Sequence, residues 1–199
     1  MSEYNVPFTD EDHRILSSCV TLVEGLADYL GGGYEIVLHS LEDVEHSVVK
    51  IINGHHTGRT TGAPITDLAL SMLSRIENEN RPGYISYFSR NKKGEPLKAA
   101  TIAIRGVGGR IIGLLCINFY LNTPLSHLLD SLCAPAQQSL AVTETFAENT
   151  RELVVQSVEQ ARAQVMADGS ILPSNKNREI VALLHRWNIF KIKDSVPLT

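Results

Sequence analysis

Residues 53–64 read NGHHTGRTTGAP and hold three glycines, two adjacent histidines, three threonines and one arginine. Gly54, Gly58 and Gly62 permit backbone conformations that other residues resist. Arg59 offers a planar fork suited to a carboxylate or phosphate. Asn53, the histidines and the threonines add neutral donors and acceptors. Such a loop can line a pocket for a small polar ligand. Its competing reading is a turn-rich surface loop, with Asp67 capping the next helix or pairing with Arg59.

Other chemistries fit the sequence less well. His39, His46, His55 and His56 are close in sequence, but adjacent strand residues point to opposite faces and no Cys, Asp or Glu stands at ligand spacing. No metal is expected, and no cofactor. RGVGGR, residues 105–110, has a GxGG core, yet a strand rather than a helix follows it, so it reads as a tight turn. Ser40 beside His39, and Cys116 on a strand, sit in no nucleophile elbow. A small enzyme using the pocket has no positive support, and the expectation is a non-enzyme.

The elements that must position the loop follow from periodicity. FTDEDHRILSSCVTLVEGLADYLGGG is expected to be a helix, with Thr9 as N-cap, Asp12 nearly completing a capping box, and a stripe of Ile15, Cys19, Leu22, Val23 and Leu26. Gly31 to Gly33 end it. YEIVLHSL and HSVVKII are strands joined as a hairpin, and the loop follows the second. ITDLALSMLSRIEN is helical, with Ile65, Leu68, Ala69, Met72, Leu73 and Ile76 on one face. YISYFS, LKAATIAIRG and RIIGLLCINFYL are three further strands with short links. Short links between neighbouring strands imply an antiparallel sheet covered by helices, an α+β domain.

A helical region begins at NTPLSHLL, and Pro135 breaks or kinks it. From Ala136 to Ala167 the pattern is again helical, with a thin seam of Val154, Val158, Ala161 and Val165. The expectation is a connector that uses this seam for a homodimer contact, because a monomer has no other element left to cover it. SNKNREIVALLHRWNIF is a last helix with Ile180, Val181, Leu183, Leu184 and Trp187 as its apolar face.

The 199 residues carry a net charge of −4 with 43% hydrophobic residues, a globular balance. Residues 174–199 are basic on an otherwise acidic chain, which points to a nucleic-acid contact at that end. Lys176, Arg178, Arg186, Lys191 and Lys193 could supply phosphate contacts. No apolar run reaches the length of a membrane span, and the N-terminus lacks a signal-peptide core. Cys19, Cys116 and Cys133 read as reduced core thiols, so a cytoplasmic location is expected.

GYEIVLHSLEDVEHSVVKIINGHHTGRTTGAPITDLAL and AATIAIRGVGGRIIGLLCINFYL resemble the PAS-like sensor domain of YheO-type bacterial transcriptional regulators. NREIVALLHRWNIFKIKDSV is similar to the first helix and turn of that family's helix-turn-helix domain. The resemblance implies a PAS-like five-stranded antiparallel sheet with flanking helices over residues 1–123, connecting and dimerisation helices over 124–170, and the start of a helix-turn-helix over 174–199. It implies a ligand cavity involving His39, Asn53, Gly54, His55, Gly58, Arg59, Gly62, Pro64, Thr66, Asp67, Cys116 and Asn118. Asn188 stands where the family has a helix-ending glycine, and Asn tolerates the left-handed conformation. Pro197 falls where a second helix should start, and the sequence stops at Thr199 before the expected recognition helix, so DNA binding is expected to need further residues. The function implied is a ligand-responsive DNA-binding transcriptional regulator that senses a small polar molecule, such as an amino-acid-like one, through the PAS-like domain. Its rival is a stand-alone small-molecule-binding module without DNA binding.

Overall fold

The computed structural model describes residues 7–78, 83–133, 147–193 and 195. The chain divides into two compact units, residues 1–135 and 136–199.

The first unit begins with α1 (Asp10–Leu30). Thr9 caps it, and Asp12 completes a capping box by accepting from the Thr9 backbone. The cap has a second task. The buried Asp12 carboxylate also accepts from the Val107 N–H and pairs with Arg110, tying the helix start to the last hairpin. The Thr9 hydroxyl and backbone, then Val107 and Arg110, hold Asp12 well below the usual carboxylate range, against the desolvation that opposes them.

The strands are β1 (Tyr34–Ser40), β2 (Val48–Ile52), β3 (Tyr84–Arg90), β4 (Pro96–Arg105) and β5 (Ile111–Tyr120). They form one antiparallel sheet in the order β2-β1-β5-β4-β3. The GVGG link is the expected tight turn, with Gly108 and Gly109 at positive φ. Both sheet faces are covered, so period-two alternation sorts side chains between two cores. Ile36, Leu38, Ile112 and Leu115 pack under α1 with Leu16, Val23 and Ala27. Val37, Leu114 and Cys116 face the other way, toward Ala69 and Leu73 of α2 (Asp67–Asn78). The α1 stripe sits slightly off its expected place, for Leu16 and Ala27 are buried while Leu22 is exposed. In α2, likewise, Leu68 is partly exposed. The short α3 (Leu125–Leu132) belongs to this unit, where Ser131 lies so close to Gly31 that a Cβ there would stand 2.5 Å from the serine Cβ.

In the second unit α4 (Thr150–Ala167) packs against α5 (Lys176–Arg186). Val154, Ala161 and Val165, with Val158 alongside, meet Leu183, Leu184 and Ile189. This corrects the expectation that the seam is left for a partner chain: α5 and the turn after it cover it. Val181 is exposed and Trp187 only partly covered, so the apolar face of α5 is narrower than its sequence suggests. Asn188 adopts the left-handed conformation, φ 59°, at the helix end. Pro135, Pro197 and the Ala136–Phe146 part of the expected long helix lie outside the described residues. The cysteines need correction too: Cys116 is buried, Cys19 half-buried and Cys133 exposed.

Candidate functional site

A cavity of about 720 Å³ opens on the α2 side of the sheet. Its floor follows from strand register. Glu35 pairs with Asn118, which pairs with Ala99, which pairs with Tyr87, giving one row across four strands. The next row is Val37, Cys116, Thr101 and Ile85. His39 lies further along β1 opposite Leu114, and Tyr120 lies at the far end of β5 opposite Leu97. Alternation alone therefore delivers Glu35, His39, Cys116, Asn118 and Tyr120 to one face.

The wall is the loop that follows β2. Gly54 is required because an added Cβ would stand 2.5 Å from the Arg59 carbonyl oxygen. Gly58 and Gly62 bend the chain back at positive φ. These turns bring Arg59 to the cavity, where a guanidinium N–H donates to the Pro64 carbonyl. Arg59 and Asp67 form no ion pair. Asp67 instead accepts from the Leu68 N–H at 2.9 Å, and the Thr66 hydroxyl accepts from the Ala69 N–H at 3.1 Å, which caps α2. The clamp between Arg59 and Asp67 weighed from the sequence is absent.

Of the residues the sequence proposed, His39, Arg59, Thr66, Asp67, Cys116 and Asn118 meet at this cavity. Gly58 and Pro64 line it too, whereas Asn53, Gly54, His55 and Gly62 do not. Asn53 sits in the left-handed conformation and donates to the carbonyls of Tyr34 and Gly31, so it braces the loop against the start of β1. His55 is exposed and lines a separate groove with Gly32, His127 and Asp130. Its neighbour His56 turns toward the main cavity, stacks on Tyr120 at 4.1 Å and binds the Gly32 carbonyl oxygen through Nε2.

Sequence reasoning offered His56 and Thr57 only collectively, as part of the loop, and missed Glu35, Tyr87 and Tyr120. The glutamate carried the one available signal, an acid inside the apolar run YEIVLHS. Glu35 is buried at 1% exposure, accepting from the Thr57 hydroxyl at 2.6 Å and from the Asn118 amide at 3.3 Å. It has no ion-pair partner among the described residues. Tyr120 is equally buried, and its hydroxyl finds no partner in bonding geometry among the described residues. Burial, then the Glu35 charge, pushes that phenol up to about 12, and Asn91, outside bonding geometry, offsets part of the rise.

His39 has a fixed tautomer. The Ser47 hydroxyl donates its proton to the Ser40 carbonyl, so it can only accept from His39 Nδ1–H. Nε2 is left as a bare acceptor. Burial, helped by the Arg59 charge, lowers this imidazole to about 4, so it is neutral at ordinary pH. Burial likewise pushes the Cys116 thiol up to about 11, the opposite of an activated nucleophile.

In the second unit Arg178, Arg186, Lys191 and Lys193 are exposed. Lys176 differs from the expectation for this basic set, because its ammonium donates to the Met166 carbonyl at the end of α4.

A five-stranded antiparallel sheet with a helix on one face and a polar cavity on the other is the architecture of a PAS domain. The family model described as the YheO-like PAS domain matches residues 9–134, and the chain belongs to that family. It is 43% identical to a protein of Haemophilus influenzae over 96% of this chain and 86% of that one. It is 42% identical to YheO of Escherichia coli K12 over 96% of this chain and 79% of that one. Among solved structures it is similar to a PAS domain from Colwellia psychrerythraea at 17% identity and a TM-score of 0.38, covering 53% of this chain and 99% of that one. No helix among the described residues is long and apolar enough to cross a membrane.

Proposed function

We propose that the chain is a ligand-responsive transcriptional regulator, in which the PAS unit binds a small polar molecule and the second unit contacts DNA. The observation that carries the first half is Tyr120 Oη, a buried polar atom at the cavity with no hydrogen-bond partner among the described residues, beside His39 and Arg59. Buried groups of this kind are costly unless a partner completes them. With Cys116 held as an inert thiol and His39 held neutral, binding suits the site better than catalysis.

The second half rests on the exposed basic set, Arg178 and Arg186 on one face of α5 and Lys191 and Lys193 in the turn beyond it. These would hold phosphates and position the unit without reading bases. A dimer is part of this reading, since paired heads suit two-fold operators. With the α4 seam covered, we place the self-contact on α3, where Leu125, Leu129 and Leu132 are exposed.

A thermal-shift screen of polar metabolites tests the sensor. A genuine ligand at about a hundred times its Kd stabilises by about 2.7 kcal/mol. DNA retention by the 199-residue chain should be weak, lost by about 200 mM salt and altered by the ligand. Complete indifference to DNA at low salt would leave the small-molecule-binding module as the better reading.

A further inference from the structure

The two charged ends of the cavity define what should fill it. β1 rises about 3.3 Å per residue, so Glu35 and His39 stand about 13 Å apart along the strand. Glu35 shares its end with Tyr120, whose phenol feels the Glu35 charge. Arg59 belongs to the other end, for it donates to the Pro64 carbonyl, whose neighbour Ala63 accepts from the Val48 N–H, and Val48 pairs with His39. Cys116 lies between and feels both charges, Arg59 and Glu35 acting on it in opposite directions.

Each end lacks its counterpart. Glu35 is positioned by two neutral donors, Thr57 and Asn118, and by no cation. A carboxylate buried without a cation is costly, and a ligand cation would relieve that cost. Tyr120 Oη and the neutral side chains beside it are compatible with an ammonium, which brings several N–H donors. Arg59 spends one N–H on Pro64, and its remaining guanidinium donors have no partner among the described residues. Between the two ends lies the row of Val37 and Cys116, and Ala99 and Leu97 add apolar surface at the Glu35 and Tyr120 end, which suits methylenes. The rim cations do not cancel the floor. Arg90 donates to the Gly94 carbonyl, and Lys92 and Lys93 are exposed and form no ion pair with Glu35.

We propose that the cavity takes a zwitterion whose charges are separated by several carbons, its ammonium on Glu35 and Tyr120 and its carboxylate on Arg59. This rests on the sensor reading above and adds the polarity and spacing of the ligand. An α-amino acid with an uncharged side chain carries both charges on one carbon and could satisfy only one end.

Calorimetry on the 199-residue chain tests it with glycine, γ-aminobutyrate and ε-aminocaproate as probes, and with hexanoate and hexylamine as single-charge controls. Affinity should rise along the zwitterion series, and ε-aminocaproate should exceed both controls. Glu35→Gln, which keeps an acceptor for Thr57 and Asn118, should weaken ε-aminocaproate by about thirty-fold or more and leave hexanoate unchanged. Arg59→Gln should weaken hexanoate and leave hexylamine unchanged. Tyr120→Phe, which removes only the hydroxyl, serves as a second probe of the ammonium end should Glu35→Gln fail to fold, and should weaken ε-aminocaproate and hexylamine. Hexanoate binding as tightly as ε-aminocaproate would overturn the proposal, as would zwitterion affinity indifferent to both Glu35→Gln and Tyr120→Phe. If the metabolite screen finds a cavity ligand while every zwitterion fails, this inference falls and the sensor reading stands. If the screen also finds nothing, both fall.

Discussion

The two units bury different things. The PAS unit buries Glu35, His39, Ser47 and Thr101 in and beside its sheet, around a cavity, whereas the second unit packs an aliphatic cluster, Val154, Ala161 and Val165 against Leu183, Leu184 and Ile189, with Ser157 and Ser195 buried beside it. Buried polar atoms without a partner occur in both units among the described residues, Tyr120 Oη in the first and Gln156 Oε1 and Ser195 Oγ in the second. What sets the first unit apart is the cavity, for Tyr120 Oη borders it and a ligand there could complete its bonding. On the proposed function, the first unit would work through its interior and the second through its surface.

The sharpest way to break the contrast is to damage each core separately. Leu114→Ala, at a fully buried position of β5, should cost about 2–5 kcal/mol and lower the melting of the PAS unit. Leu184→Ala should lower only the melting of the second unit. Calorimetric scans in which either substitution shifts one common transition would show that the two cores do not melt independently.

Acid should discriminate between the units next. The folded state holds His39 at about 4 against an ordinary value of 6.5. Above pH 6.5 neither state binds the proton and there is no effect. As pH falls from 6.5 toward 4 the unfolded chain takes up a proton that the folded one refuses, so stability is lost. The full difference corresponds to roughly 3 kcal/mol. Melting curves between pH 7 and 4 should show the PAS unit losing stability, and His39→Gln should flatten that loss. Asp12 acts lower on the scale. Its depressed carboxyl stabilises the fold above the ordinary carboxylate range, and this support disappears as pH falls further. Asp12→Asn should therefore melt lower at neutral pH and lose less on acidification below about 4 than the parent chain does.

The smallest expected effect lies in the second unit. Asn188 holds a left-handed backbone. Asn188→Gly should be neutral or slightly stabilising, and Asn188→Ala should cost about 1 kcal/mol in denaturant titrations. A larger loss from Asn188→Gly would mean that the asparagine side chain, and not its backbone, is what matters there.

Elements whose signals are local were legible in the sequence. The Thr9 cap, the period-two strands and the glycine turn at 106–109 each depend on residues a few places apart. The cavity was half legible. Arg59, Thr66 and Asp67 stand out by type, but Glu35 and Asn118 become neighbours only through the β1–β5 register, 83 residues apart. Whether His55 or His56 turns inward depends on the short helical turn at 54–56, and neither residue's chemistry decides it. The partnership of α4 with α5 was missed because a thin seam looks the same whether its cover is a neighbouring helix or another chain.

The double-sided burial of the sheet has a consequence for how this protein can diverge. Positions 35, 37, 116 and 118 face the cavity, while 36, 38, 112 and 115 hold α1 in place. Substitutions in the first set can retune what is recognised without loosening the helix on the other side. Inserting or deleting one residue in β1 would exchange the β1 members of the two sets, thrusting Glu35 under α1 and Ile36 into the cavity. Relatives can thus drift in taste by single replacements at alternate positions, but not by changes in strand length.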